Sequence, residues 1–131
     1  MPKRKDKKSS TRRNKARRNS SGGRQGTRRL DQKMPKDAVT LIVQLRPRDG
    51  QDLLLEAELR ALVGPTRKED GCLTYDLYRA TEGPSAYMLH EVWASREDHT
   101  RHTNTPHFLR WNALKDALLA SREVGFWKQV V

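Results

Sequence analysis

The chain has 131 residues, of which 27 are Lys or Arg and 16 are Asp or Glu, and its formal net charge is +11 at pH 7. The charge is unevenly distributed, because residues 1–36 hold 15 basic and two acidic residues while the other 95 hold 12 basic and 14 acidic ones. The basic balance therefore describes the N-terminal segment alone and does not indicate a cationic ligand-binding surface on the rest of the chain.

The first 36 residues are predicted to form a disordered basic tail. Their apolar side chains are only Met1, Ala16, Leu30 and Met34, too few to offset the entropy lost when a chain becomes ordered. Their clustered Lys and Arg would attract phosphate backbones without reading sequence, so non-specific nucleic acid binding is a rival function. An alternative is that translation starts at Met34, directly before the folded region.

The chain lacks the sequence features of export and of membrane insertion. It has no apolar run of the roughly 7–15 residues that a secretory signal needs, and none near the roughly 20 residues that cross a bilayer. Cys72 is the only cysteine, so no intramolecular disulfide can form. These features predict a cytoplasmic protein with no membrane partner.

Residues 38–131 are predicted to form a single folded domain. Alternating apolar and β-branched residues predict four strands, over residues 39–45, 72–79, 86–93 and 123–131. Leucines at helical spacing predict a helix after the first strand, and Gly64-Pro65 is expected to kink or break it. Ser95 and Thr105-Pro106 have the chemistry of N-caps and predict two short helices between the third and fourth strands.

The element order is therefore βαββαβ, which is typical of an α+β domain of the ferredoxin-like class. In that arrangement the helices cover one face of an antiparallel sheet, whereas apolar residues here occupy both faces of the predicted strands. Packing the open faces of two subunits together would bury the second apolar surface. A homodimer is the expected state.

Two segments carry a family resemblance: EDGCLTYDLY at residues 69–78 and EVWAS at residues 91–95, followed by His102 and by TPHF at residues 105–108. In order and spacing they resemble the antibiotic biosynthesis monooxygenase family, especially its quinol monooxygenase-like members, over residues 38–130. The resemblance implies a dimeric α/β barrel of ferredoxin-like subunits, with a pocket between sheet and helices in each. It also implies oxidation of quinols or polycyclic phenols by dioxygen without metal or flavin, although other members degrade haem or isomerise small signalling molecules.

The haem-degrading members use an Asn on the first strand with a Trp and a His on the later helices, and this sequence has Val43, His102 and Asn112 at those positions. None of them matches, so haem degradation is not expected and no cofactor is predicted. His99 and His102 are three residues apart on a helix, but no third ligand is evident, so no metal site is predicted. His99 is expected to lie on a solvated helix surface.

A cofactor-free oxygenase must deprotonate its phenolic substrate and hold the anion in a dry pocket. His102 is the predicted catalytic base, because histidine titrates near neutral pH and accepts a hydroxyl proton. The competing interpretation is a solvated histidine on a helix surface, or one that caps a carbonyl. His107 is predicted to contact the substrate, and its alternative role is to pack and hydrogen-bond the adjacent hairpin.

Five further residues are predicted to bind an aromatic substrate: Tyr75, Glu91, Trp93, Phe108 and Trp111. Flat aromatic rings offer stacking area with defined geometry, although in so small a domain such rings are also expected in the core. Glu91 shares a strand face with Trp93 and needs a partner if it is buried. That partner is expected to be an Arg, or else a histidine that Glu91 orients.

The sequence thus predicts a cofactor-independent monooxygenase that oxidises a small phenolic or quinol compound with dioxygen. The alternative is a non-catalytic dimeric module that binds a small molecule and is brought to nucleic acid by its basic tail.

Overall fold

The computed structural model of the protein describes residues 34–131. Its elements are β1 (Val39–Pro47), α1 (Asp52–Arg67), β2 (Cys72–Arg79), β3 (Tyr87–Trp93), α2 (Arg96–His102), α3 (Pro106–Leu118) and β4 (Leu119–Trp127). The βαββαβ order and the two helices that follow β3 are confirmed. Most of the predicted tail, residues 1–33, lies outside the described residues. Within residues 34–131, no helix is long and apolar enough to span a bilayer.

The four strands form one antiparallel sheet in the order β2-β3-β1-β4. This topology, with its three helices, is the ferredoxin-like fold that the element order predicted. In the β2–β3 hairpin Cys72 lies opposite Trp93, and Tyr75 lies opposite Glu91. The start of β2 and the end of β3 are therefore at the same end of the sheet. This register brings residues 68–71 next to the chain that enters α2.

The hydrophobic core lies between the sheet and the helices. Alternate residues of β1, among them Leu41 and Leu45, are buried together with Leu55 and Leu59 of α1 in one cluster. The helical spacing of the leucines places them on a single face of α1, and full burial of each contributes about 2 kcal/mol to folding. The core is consequently formed by the residues that alternate along β1 and by those that recur at helical spacing along α1.

Gly64-Pro65 does not break α1, and the bounds of the last strand differ from the prediction. α1 continues through Gly64-Pro65 and ends at Arg67, because Pro65 lies in the last turn and the Lys68 N–H closes that turn by donating to the Pro65 carbonyl at 3.2 Å. The last strand spans Leu119–Trp127 rather than residues 123–131. Its pairing with β1, from Pro47 opposite Leu119 to Thr40 opposite Trp127, sets those limits.

The sheet face that points away from the core is partly apolar. Ile42 and Met88 lie on it at intermediate burial, while Tyr78 and Trp127 are exposed by 49% and 62%. The predicted homodimer would bury this face, and it stays a prediction because one chain is described.

Gly71 makes a close contact between the turn before β2 and helix α2. Its φ is +85°, and a Cβ at this position would lie 2.2 Å from Cγ of Asp98. The Gly71 carbonyl accepts the N–H of Ala94 at 2.8 Å, and the Asp98 carboxylate accepts the hydroxyl of Ser95 at 2.9 Å and pairs with Arg101. Only glycine satisfies both the backbone conformation and the space, so Gly71 allows α2 to dock on this turn.

Candidate functional site

Two imidazoles converge on one carboxylate oxygen at the end of the sheet where β2 begins. Nδ1 of His102 lies 2.8 Å from Oε2 of Glu69, and Nε2 of His107 lies 2.6 Å from the same oxygen. Glu69 belongs to the turn between α1 and β2, whereas the histidines end α2 and begin α3. The three side chains thus join segments that are more than 30 residues apart in sequence.

The caps of the two short helices position the histidines. The Ser95 hydroxyl accepts the Asp98 N–H at 3.1 Å, and the Thr105 hydroxyl accepts the Phe108 N–H at 3.3 Å, so both predicted N-caps are confirmed. Thr105 also donates to the His102 carbonyl at 2.8 Å and lies 3.2 Å from Nε2 of His107. A short turn held by one threonine therefore fixes the spacing of the two imidazoles.

Aromatic rings surround His102. Its ring centroid lies 4.7 Å from that of Trp93, 5.0 Å from Phe108 and 5.6 Å from Tyr75. His102, Trp93 and Tyr75 each expose 2% or less of their surface, so the interpretation of His102 as a solvated surface histidine is wrong. Four of the predicted site residues thus form one cluster, in which three are buried and Phe108 is partly buried.

The remaining predicted residues are placed differently. Nε2 of His107 contacts Glu69 and Thr105. The alternative role of His107, a hydrogen bond to the β2–β3 hairpin, is not observed within residues 34–131. Trp111 is buried in the hydrophobic core on α3, and none of the ring contacts of His102 within residues 34–131 involves it. Trp111 therefore lies in the core, apart from the rings that contact His102.

His99 packs against aromatic rings, which differs from the prediction. It was expected on a solvated helix surface, but its ring packs on Trp93 at 6.0 Å and on Phe126 at 5.9 Å between centroids. Burial lowers the pKa of His99, and burial also lowers the pKa of His102 in spite of the opposing bond from Glu69. Both imidazoles are consequently neutral at pH 7.

Glu91 is buried beside Trp93, with 4% of its surface exposed. Its Oε1 accepts the indole N–H of Trp93 at 3.0 Å. Within residues 34–131 Glu91 forms no ion pair, so the prediction of an Arg partner is wrong. The reason is local, since residues i and i+2 of a strand share a face and the long indole reaches back to the carboxyl. Burial raises the pKa of Glu91 to about 7.

The raised pKa of Glu91 makes the stability of the fold depend on pH. Its value in the folded state exceeds the ordinary value of 4.5, so the protonated carboxyl is the favoured folded form and stability is lost as pH rises toward and through 7. Glu91→Gln keeps a neutral acceptor for Trp93. Its stability advantage over the parent is therefore expected to grow by roughly 2–3 kcal/mol between pH 5 and pH 9 in urea denaturation.

Glu97→Gln is the matched control, because Glu97 is exposed on α2. Its difference from the parent is expected to stay within about 0.5 kcal/mol at both pH values. A Glu91→Gln variant whose stability relative to the parent does not rise between pH 5 and pH 9 would contradict the prediction.

Glu69 is the functional residue that sequence reasoning missed. Glu69 is part of the segment that carries the family resemblance, but no role was predicted for it. The predicted hairpin already placed the turn before β2, which contains Glu69, beside the chain leaving β3. An acidic residue in that turn and histidines after β3 are expected to meet in a ferredoxin-like topology. Potential ligand atoms of Glu69, His102 and His107 lie within 4.8 Å of one another, and His99, which the sequence paired with His102, is not part of this group.

The cluster is closed in the described conformation. Two surface cavities, of about 550 and 460 Å³, lie elsewhere. The larger is lined by Arg60, Arg67 and Arg79 of α1 and β2, and neither is lined by His102 or Glu69. The larger cavity lies between α1 and the β2–β3 strands, and neither of the two opens onto His102.

Fold and site together define a ferredoxin-like α+β domain with a histidine–carboxylate pair enclosed by aromatic rings. The chain belongs to the antibiotic biosynthesis monooxygenase family, whose model matches residues 38–114. The resemblance predicted from the sequence is confirmed.

Individual relatives support the same assignment. The Mycobacterium tuberculosis protein named Putative monooxygenase Rv0793 is 38% identical over 81 residues, which are 62% of this chain and 79% of that protein. Its solved structure superimposes with a TM-score of 0.69 at 33% identity, over 72% of this chain and 97% of that one. The structure of PA3566 from Pseudomonas aeruginosa gives a TM-score of 0.71 at 35% identity, over 76% of this chain and all of the other.

Proposed function

We propose that this domain is a cofactor-independent monooxygenase that oxidises a small phenolic or quinol substrate with dioxygen, and that His102 is its catalytic base. One observation carries the proposal: Nδ1 of buried His102 is bonded to Glu69 at 2.8 Å. Within residues 34–131, no hydrogen bond engages Nε2 of the same ring. The M. tuberculosis relative that is named as a monooxygenase, and the family to which the chain belongs, support the reaction class.

The carboxylate determines which nitrogen of His102 acts as the base. A carboxylate accepts hydrogen bonds only, so the proton of the neutral imidazole is on Nδ1 and points at Glu69. The lone pair is then on Nε2, which is the atom left without a protein partner. Glu69 is a positioning residue in this scheme, because it fixes the tautomer and the orientation of the ring.

The surrounding rings suit an aromatic substrate. Trp93, Phe108 and Tyr75 present apolar surfaces around His102, and an apolar site favours stacking of a flat ring while excluding water from its anion. Glu91 and Trp93 bond to each other, which keeps the indole plane in place. We propose that these residues, with His107, form the substrate-contacting walls.

The reaction can be written for an anthrone, whose ring CH₂ group becomes a carbonyl. Nε2 of His102 removes a proton from the substrate, and the resulting anion transfers one electron to dioxygen. The substrate radical and superoxide combine into a peroxide at the ring carbon. Its O–O bond then breaks as the second hydrogen leaves that carbon and the imidazolium returns the first proton. One oxygen atom remains as the carbonyl and the other leaves as water.

Oxygen consumption by the purified full chain tests the proposal. The chain is mixed with a panel of anthrones and hydroquinones without added metal or flavin, and uptake is compared with the spontaneous rate. With ¹⁸O₂, an anthrone product is expected to carry one labelled oxygen atom. Uptake at the spontaneous rate across the panel would overturn the proposal and favour a non-catalytic dimeric small-molecule-binding module.

A further inference from the structure

We infer that Glu69, His102 and His107 form a binding site for a divalent transition-metal ion of the Zn²⁺ type, and that occupation of this site switches off His102 as a base. Metal binding is inferred from the geometry of the three side chains. Inhibition of His102 rests on the proposed function. A metal ion here is an inhibitor and not a cofactor of the oxygenase reaction.

The donor set has the chemistry that such ions select. Two imidazole nitrogens and one carboxylate oxygen are ligands of Zn²⁺ and of its neighbours in the first transition series, whereas Mg²⁺ and Ca²⁺ favour oxygen alone. Nδ1 of His102, Nε2 of His107 and Oε2 of Glu69 all lie within 4.8 Å of one another. Both nitrogens contact the same oxygen of Glu69.

Two of the three donor separations are close to what a metal requires, and the third, between the two imidazole nitrogens, is within 4.8 Å. Ligands about 2.1 Å from a shared ion are separated by about 3.0 Å in octahedral and about 3.4 Å in tetrahedral geometry. The present separations from Glu69 Oε2 are 2.8 Å to His102 and 2.6 Å to His107. Each must therefore lengthen by less than about 1 Å, which small rotations of Glu69 and His107 provide.

The protein holds the three ligands in advance. They come from the α1–β2 turn, the end of α2 and the start of α3, and the turn between the helices is fixed by the bonds of Thr105. Their side chains expose 13%, 1% and 22% for Glu69, His102 and His107. An ion would thus approach from the side of His107 and complete its coordination with solvent there, while the Trp93 side stays closed.

Metal binding and base catalysis require different tautomers of His102. A neutral imidazole bound to metal through Nδ1 has its proton on Nε2, whereas the proposed reaction needs the Nε2 lone pair. The proton that Nδ1 gives to Glu69 in the metal-free state is transferred through solvent to Nε2, so the imidazole gains and loses no net proton. The occupied site therefore cannot accept the substrate proton.

Binding is tested on the full chain with Co²⁺, whose visible absorption reports coordination, and with Zn²⁺ in calorimetry. The four histidines and the only cysteine are all in residues 72–107, so the basic segment adds no imidazole or thiolate. We expect one ion per chain. His107→Ala and Glu69→Gln are each expected to weaken binding roughly 10- to 100-fold or more, because each removes a ligand.

His90→Ala is the matched control, since His90 lies on the opposite face of the sheet between Ile42 and Asp76. The metal affinity of this variant is expected to equal that of the parent. His107 is partly exposed, so its replacement tests the site with little risk to the core, and circular dichroism checks the fold. Absence of a Co²⁺ spectrum and of Zn²⁺ heat, or equal binding by His107→Ala and the parent, would overturn the site.

Inhibition by the bound metal is tested separately, by measuring oxygen uptake with and without Zn²⁺. If the chain consumes oxygen with a substrate, saturating Zn²⁺ is expected to abolish uptake and a chelator to restore it. Binding without loss of uptake would overturn the tautomer argument. A chain that binds Co²⁺ and consumes no oxygen would contradict the proposed function while supporting the metal site, so the two failures are distinguishable.

Discussion

Replacement of His102 by alanine is expected to lower kcat for oxygen uptake by about 10²- to 10⁴-fold, the range that a positioned general base contributes. The expected loss follows from the position of Nε2, the one imidazole nitrogen at the centre of the aromatic cluster that Glu69 leaves unbonded. The measurement is steady-state oxygen consumption with the best substrate of the panel, at pH values from 6 to 9. Because the walls remain in place, KM is expected to change much less than kcat.

The control for this variant is again His90→Ala, which removes an imidazole from the other face of the sheet. Its kcat is expected to stay within about twofold of the parent. A His102→Ala chain that is folded by circular dichroism and consumes oxygen at the parental rate would remove His102 as the base. Raising the pH is expected to recover part of the activity, since hydroxide then replaces the missing base.

Replacement of Gly71 by alanine is expected to destabilise the fold by about 2–4 kcal/mol in urea denaturation. The positive φ of +85° accounts for about 1–2 kcal/mol, because the alanine Cβ crowds its own backbone there. The contact of that Cβ with Asp98 at 2.2 Å adds the rest, since Asp98 must move and release its bonds to Ser95 and Arg101.

Two comparisons separate the backbone cost from the contact. Gly83 has φ +76°, and a Cβ added there would have no heavy atom within 4 Å, so Gly83→Ala is expected to cost about 1–2 kcal/mol. In an Asp98→Gly background the Cβ, Cγ and Oδ2 atoms that the new methyl group would meet are all removed, and Gly71→Ala is then expected to cost no more than Gly83→Ala. An equal cost of Gly71→Ala in both backgrounds would show that the Asp98 contact is not the cause.

The fold was predictable because each element carries a clear local pattern. Alternation from Val39 to Leu45 indicated a half-buried strand, and the caps at Ser95 and Thr105 divided the second helical region into two. The predicted bounds of β4 were wrong because tertiary pairing overrides local signals there. Pro65 is accommodated because it falls in a last turn, and β4 is limited to Leu119–Trp127 because its partner β1 is nine residues long.

The site was predictable only in part. His102 and its aromatic neighbours were selected from the family resemblance and from the chemistry of a base, and they do lie together. Glu69 was not selected, because a contact across 33 residues follows from sheet register and not from any local pattern. Glu91 was assigned an Arg partner because charge pairing is the general rule for buried carboxyls, whereas the neighbouring indole of Trp93 meets that need here.

The near-complete burial of His102 has a thermodynamic consequence for the aromatic substrate that we propose. A substrate ring cannot occupy the space beside Nε2 until the closed state converts to an open one, so the ligand selects a minor population. If the open state represents about one molecule in a hundred, the apparent dissociation constant is about a hundredfold weaker than the intrinsic one. Substitutions that loosen the docking of α2 on the Gly71 turn would then raise affinity while they lower stability.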